Sequence, residues 1–183
     1  LIPEVLDYFR YARQAAPETH INLTTNGSKL SADLSESFLQ EDLLDSVIVS
    51  IDGGDKETFE NIRLGLDYDE VRCNVLHFLR RRNELGKTRP TVSIAMVTVD
   101  ENKHTRSKLK EVWSEADEVR FSVYFNWAGK LKNNGRPEHK LNFCERLYHY
   151  ITILANGQVA MCCFDSEGEY LVGDVRSQGV HEV

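Results

Sequence analysis

Runs of β-branched residues recur along this chain with amphipathic helical patterns between them, and that alternation limits the fold more than any other feature. Val47-Ile48-Val49-Ser50-Ile51 is the kind of near-continuous apolar run found in buried parallel strands. His20 to Thr25 precedes it, and Thr91 to Val99 and Val119 to Phe125 follow. The first helical pattern covers residues 3–15, with Val5, Leu6, Phe9 and Ala12 inward and Pro3 suited to the first turn. Ser31 reads as the N-cap of a second, whose inner face is Leu34, Phe38 and Leu39. Asp55-Lys56-Glu57-Thr58-Phe59 opens a short helix. Asp69 opens a longer one that turns Val71, Val75, Leu76, Phe78 and Leu79 inward and ends at Gly86. Asn102 or Thr105 is expected to cap the last, with Leu109, Val112 and Trp113 inward. Short turns between buried strands and helices predict an α/β fold. Strands at 21–25, 47–51, 91–98 and 119–124 are expected to be parallel neighbours with helices on the outer face.

The texture changes after the last of these strands. Residues 126–143 are polar and rich in Gly and Asn, as in a linker or long loop. Beyond them, two apolar runs (150–154 and 159–162) flank Asn156-Gly157, a strong hairpin signal. The expected organisation is therefore a βα domain over 1–130 and a small hairpin domain over 131–183.

Charge and composition close off several functions. Twenty-two basic against 29 acidic residues give a net charge of −7, which argues against nucleic acid as a partner. The one basic run, Arg80-Arg81-Arg82, falls late in a helix, where cations meet the negative end of the dipole. Mean hydropathy is −0.42 and no apolar run nears the ~20 residues of a membrane span. No basic stretch followed by an apolar one opens the chain, so a secretory signal is not expected and a cytoplasmic location is. Opening inside a helical pattern without Met suggests a piece of a longer chain.

Two groups of residues carry chemistry. Thr24-Thr25-Asn26-Gly27, Ser50-Ile51-Asp52-Gly53-Gly54 and the 98–102 stretch all fall at C-terminal strand ends, where parallel βα folds place function. Their hydroxyl, amide and carboxylate groups suit a ribose or the amino-acid end of a ligand; they are also ordinary turn formers. The second group is cysteine. Cys144, twelve residues, Gly157, four residues, Cys162 and then Cys163 is a spacing in which a hairpin folds Cys162 back towards Cys144. Thiolates brought together suit an iron–sulfur cluster or zinc, and buried free cysteines would satisfy the same pattern. Strand alternation is expected to turn Cys163 to the opposite face, making it the weaker ligand unless a bulge intervenes. Cys73 sits beside apolar residues on a helix and reads as core.

Together TTNG at 24–27, VSIDGGDKETFENIR at 49–63 and FNWAG at 125–129 resemble consecutive segments of radical S-adenosylmethionine (SAM) enzymes. The cysteine pattern, with Asp165 and Leu171-Val172-Gly173-Asp174-Val175, resembles the opening of their SPASM or twitch extension. The resemblance implies a partial (β/α)6 TIM-like barrel followed by an auxiliary [4Fe–4S] module. It implies that Thr25 and Asn26 line the SAM side of the barrel mouth, and that Ser50 and Asp52 contact SAM or substrate. Arg63 is then a helix arginine able to pair with a carboxylate, and Met96 lies on the strand flanking the adenine. It further implies Cys144, Cys162 and Cys163 as cluster ligands, a peptide or small-molecule substrate, and a reductant such as flavodoxin or ferredoxin. The CxxxCxxC loop that binds the SAM-cleaving cluster is absent from this sequence, so the chain as given does not make the radical. A non-catalytic zinc or peptide-binding module on a degenerate barrel is the alternative. An ordinary TIM-type lyase or aldolase is disfavoured, because the strand ends carry no lone Lys and no His/Glu cluster.

Overall fold

The structure is a computed structural model that describes residues 4–124 and 144–182. The expected FNWAG segment and the 126–143 linker lie outside the described residues. The chain divides into two compact units, Leu1–Tyr124 and Phe125–Val183.

In the first unit, β1 (Asn22–Thr25), β2 (Ser46–Ser50), β3 (Thr91–Thr98) and β4 (Glu118–Val123) form one sheet in the order β1-β2-β3-β4. All three pairings are parallel, with Thr24 opposite Ile48, Ile48 opposite Ser93 and Ser93 opposite Glu118. The helices are α1 (Val5–Ala15), α2 (Ala32–Gln40), α3 (Lys56–Ile62), α4 (Tyr68–Glu84) and α5 (Arg106–Val112). Sequential parallel strands joined by right-handed crossovers put every connecting helix on the same face. Burial agrees. Leu23, Val47, Val49, Ile51, Val92, Ile94 and Met96 pack into one core with Phe38, Leu39, Val71, Phe78 and Trp113 of the helices. The alternate positions are mostly polar or small and partly covered, as at Asn22, Thr24, Ser46, Ser50, Ala95 and Arg120, with Ile48 and Val97 the apolar exceptions and Ser93 buried.

Caps account for most helix starts. Ser31, Asp55 and Asp67 accept from Leu34, Thr58 and Glu70 N–H respectively. The long helix thus opens two residues before the expected Asp69, because Asp67 is extended and its carboxylate reaches the first turn. Neither Asn102 nor Thr105 caps a helix with its side chain; both are drawn instead into the strand ends. Cys73 is exposed rather than core. On α4 the inward stripe is Val71, Val75, Phe78 and Leu79, and two positions after Val71 is roughly 200° round the helix. The arginine run is not a patch: Arg80 meets Glu115, Arg81 meets Glu36 and Glu84, and buried Arg82 meets Asp117 and the Pro90 carbonyl.

Asp45 ties the lower edge of the sheet. It accepts from Ile21 N–H at 2.9 Å, Arg13 at 2.6 Å and Arg89 at 3.0 Å. The Ile21 N–H first, then the two guanidinium groups, lower its pKa to about 2. A carboxyl held below its unfolded value of about 3.9 stabilises the fold fully above that pH and loses its contribution as pH falls towards the folded value. Circular dichroism of the wild type should therefore show stability falling between about pH 4 and 2. Asp45→Asn should lower stability at neutral pH and flatten the slope in that window; an unchanged slope would exclude Asp45 as its source.

The second unit is built from α6 (Arg146–His149) and an antiparallel sheet of β5 (Thr152–Ile153), β6 (Gln158–Ala160) and β7 (Leu171–Asp174), in the order β5-β6-β7. The strands are shorter than the apolar runs suggest. Leu154 N–H donates to Gln158 O, Gly157 N–H donates to Leu154 O, and Gly157 has φ +86°. This is a three-residue hairpin loop with glycine at its left-handed position. The Asn156 carboxamide oxygen accepts from Gln158 N–H and holds the turn.

Candidate functional site

At the strand ends of the first unit, most predicted ligand groups are spent on holding the loops. The Thr25 hydroxyl accepts from Gly27 N–H, and the Asn26 carboxamide oxygen accepts from the Ser28 N–H and hydroxyl. Asn74 of α4 donates to the Gly27 and Ser28 carbonyls, which fixes the TTNG turn from behind. Asp52 is the centre of a larger arrangement. One carboxylate oxygen accepts from Val97 N–H at 2.8 Å; the other accepts from Arg63 Nε at 2.7 Å and lies 2.7 Å from Nη2 in an ion pair. The carboxylate available to Arg63 is thus supplied by this chain itself. Met96 is fully buried on the helix-facing side, so only its backbone is available at the sheet's other face. Ser50 lies on that other face.

Asn102, at the end of the 98–102 stretch, and Thr105, outside the predicted ligand groups, complete the network. Buried Asn102 donates to the Asp52 carbonyl at 3.1 Å and to the Val97 carbonyl at 2.9 Å, and its oxygen accepts from Val99 N–H. Thr105 donates to the Asn102 carbonyl and accepts from Gly54 N–H. A β-carbon at Gly54 would collide with the Thr105 and Leu109 backbone, which is why the turn after β2 runs through glycine. The exits of β2 and β3 are thereby locked together, with Asn26 and Ser50 on the partly exposed side. A buried Asn beside a strand end carries little sequence signal, because Asn is common in any loop.

The second unit brings its three cysteines to one small pocket, lined by Cys144, Cys162 and Cys163 together with Arg146, Leu147 and Tyr150. Local structure explains the convergence. A single helical turn begins directly after Cys144, with Leu147 N–H donating to the Cys144 carbonyl and Tyr150 N–H to Arg146 O. Thr152 then pairs with Ala160, which brings the chain entering β5 beside the chain leaving β6. The alternation expected for Cys163 does not hold. The ladder shifts register beside Val159 and Ala160, β6 ends at Ala160, and residues 162–165 form a turn closed by Asp165 N–H on the Cys162 carbonyl. A turn has no period of two, so adjacent cysteines line the same pocket.

The surroundings of the sulfurs are donor-rich. Phe164 N–H points to Cys162 Sγ at 3.4 Å, and Arg146 Nη1 lies 3.8 Å from Cys163 Sγ. The Cys163 sulfur first, then Tyr150 and Cys144, raise the Arg146 pKa above its already high value. Buried Asp165 accepts from Glu169 and Tyr170 N–H, four and five residues on, and fixes the loop after the cysteine turn; Asp followed by Ser-Glu-Gly is the turn-forming signal that marks it. Three thiols line one pocket and two of them have N–H donors to sulfur, which suits a cluster, whose sulfur hydrogen bonds are a normal part of its surroundings. Among the described residues, no three His, Cys, Asp or Glu side chains converge as one metal ion requires. A single zinc would need every thiolate about 2.3 Å away, whereas a multinuclear cluster takes each on a separate iron.

Residues 144–183 match the family model of SPASM, an iron–sulfur cluster-binding domain. No curated protein matches the chain. Among the described residues, no helix is long and apolar enough to cross a membrane.

Proposed function

We propose that this chain is the later part of a SAM-dependent radical enzyme, with an auxiliary [4Fe–4S] cluster held by Cys144, Cys162 and Cys163. The convergence of the three thiols within the segment that matches an iron–sulfur domain carries the reading. The first unit supports its other half: four sequential parallel strands with connecting helices are what an arc of a (β/α)6 barrel requires, and their other face would become the lumen. SAM, cleaved reductively by an activating cluster on a CxxxCxxC loop, would supply a 5′-deoxyadenosyl radical for hydrogen abstraction. Asn26, Ser50 and the Met96 backbone lie at the C-terminal strand ends, where they would meet SAM or substrate. Thr25, Asp52 and Arg63 act on the same ligands through the loops they brace. The expected partners are a peptide or small-molecule substrate and a reductant such as flavodoxin or ferredoxin, in a cytoplasm that keeps the thiols reduced.

Anaerobic incubation with ferrous iron and sulfide tests the auxiliary half. A brown protein with broad absorption near ~400 nm and about four irons per chain is expected. A colourless protein that takes up stoichiometric zinc instead would favour a structural module. The radical half is tested by the natural reading frame upstream of Leu1, which should encode CxxxCxxC; a complete gene without it would overturn that half.

A further inference from the structure

Arg146 departs from the other strongly paired arginines of this molecule. Arg63, Arg82 and Arg176 each meet a carboxylate. Among the described residues, the partners of Arg146 are a sulfur, with Nη1 3.8 Å from Cys163 Sγ, and the Tyr150 ring, whose centroid lies 5.6 Å from Cζ. Its place is fixed by chain geometry. Arg146 opens the helical turn that follows Cys144, and Tyr150 N–H closes that turn on the Arg146 carbonyl. Tyr150 then leads into β5, whose pairing with β6 delivers the other two cysteines. One guanidinium therefore sits at the shared pocket of all three thiols, held by the same backbone that assembles them.

We propose that Arg146 is a positioning residue for the auxiliary cluster: it holds the Cys163 sulfur in place and, with the cluster bound, stabilises the reduced state. The inference rests on the cluster reading above. Reduction adds one electron to the cluster, supplied by dithionite in the test below, with no bond made or broken and no proton required. That electron places one more negative charge beside a fixed cation whose N–H already points at a ligand sulfur. Charge and hydrogen bonds at the sulfurs are the levers that set iron–sulfur potentials. Both act in the same direction here, so removing Arg146 makes the cluster harder to reduce.

The test uses the full chain, reconstituted anaerobically with ferrous iron and sulfide, and a dithionite titration followed by electron paramagnetic resonance. Arg146→Gln keeps a polar side chain and removes the charge. Its reduced-to-oxidised ratio at a fixed potential should fall about tenfold, equivalent to a midpoint about 59 mV more negative for one electron. Arg146→Lys should stay within about threefold of wild type, because the charge is retained. A Gln variant that fails to hold iron while the Lys variant loads at the wild-type potential also supports the proposal. A Gln variant titrating with wild type overturns it, as does a Lys variant shifted as far as Gln. Loss of iron from both variants would make Arg146 a brace of the fold alone and overturns it too. A wild type that takes up no iron sinks the cluster reading and this inference with it, which separates the two failures.

Discussion

Cys144→Ala and Cys162→Ala are each expected to abolish iron–sulfur uptake, taking the reconstituted protein from about four irons per chain to background. Each removes a thiolate from a pocket where three are brought together, and the remaining two cannot hold a cluster against chelation by solvent. Cys163→Ala is expected to lose the cluster as well, because the turn after β6 puts Cys163 in the same pocket. Cys73→Ala, an exposed residue of the other unit, should reconstitute like wild type and serves as the control. Iron and sulfide analysis with the ~400 nm absorption gives the readout. Full iron content in Cys144→Ala or Cys162→Ala would remove the cluster from this pocket.

Asp52→Ala should lower stability by about 3 kcal/mol, measured by urea denaturation. The carboxylate makes ionic hydrogen bonds to Arg63, worth about 1.5–3 kcal/mol, and a further bond to the Val97 N–H, worth about 0.5–1.5 kcal/mol. Arg63 remains a third exposed, so water recovers part of what it loses and the sum stays near the middle of that range. Asp52→Asn keeps an oxygen for Val97 and should cost less than half as much. If both variants were as stable as wild type, Asp52 would not be the tie between the ends of β2 and β3. Its carboxylate would then be free for a ligand.

How much of this was legible in the sequence depended on the range of the interactions involved. Parallel strands at the four expected positions followed from β-branched runs alternating with amphipathic helices, because burial on a helix-covered sheet demands that composition. The hairpin followed from Asn156-Gly157, because a left-handed turn position selects glycine. Cys144 and Cys162 line one pocket, in keeping with a hairpin that brings the chain back on itself. Those are local rules, in which neighbouring residues carry the whole signal.

Periodicity failed wherever a regular element ended or a distant partner intervened. Cys163 was assigned to a strand face, but the strand stops at Ala160 and a turn obeys no alternation. Cys73 reads as core beside the apolar residues of its helix, yet helix geometry turns it outward from the stripe of Val71 and Val75. Asn102 was read as a cap and proved to bridge the carbonyls of Asp52 and Val97, fifty and five residues away. Asp52 and Arg63 were both singled out as ligand groups, yet they lie eleven residues apart in sequence and meet each other. Neighbouring residues thus mark helix, strand and turn, and show that thiols could gather near residues 144–163. Which polar groups are already satisfied emerges only from the folded chain, because a hydrogen bond between distant residues leaves no periodic trace in either segment.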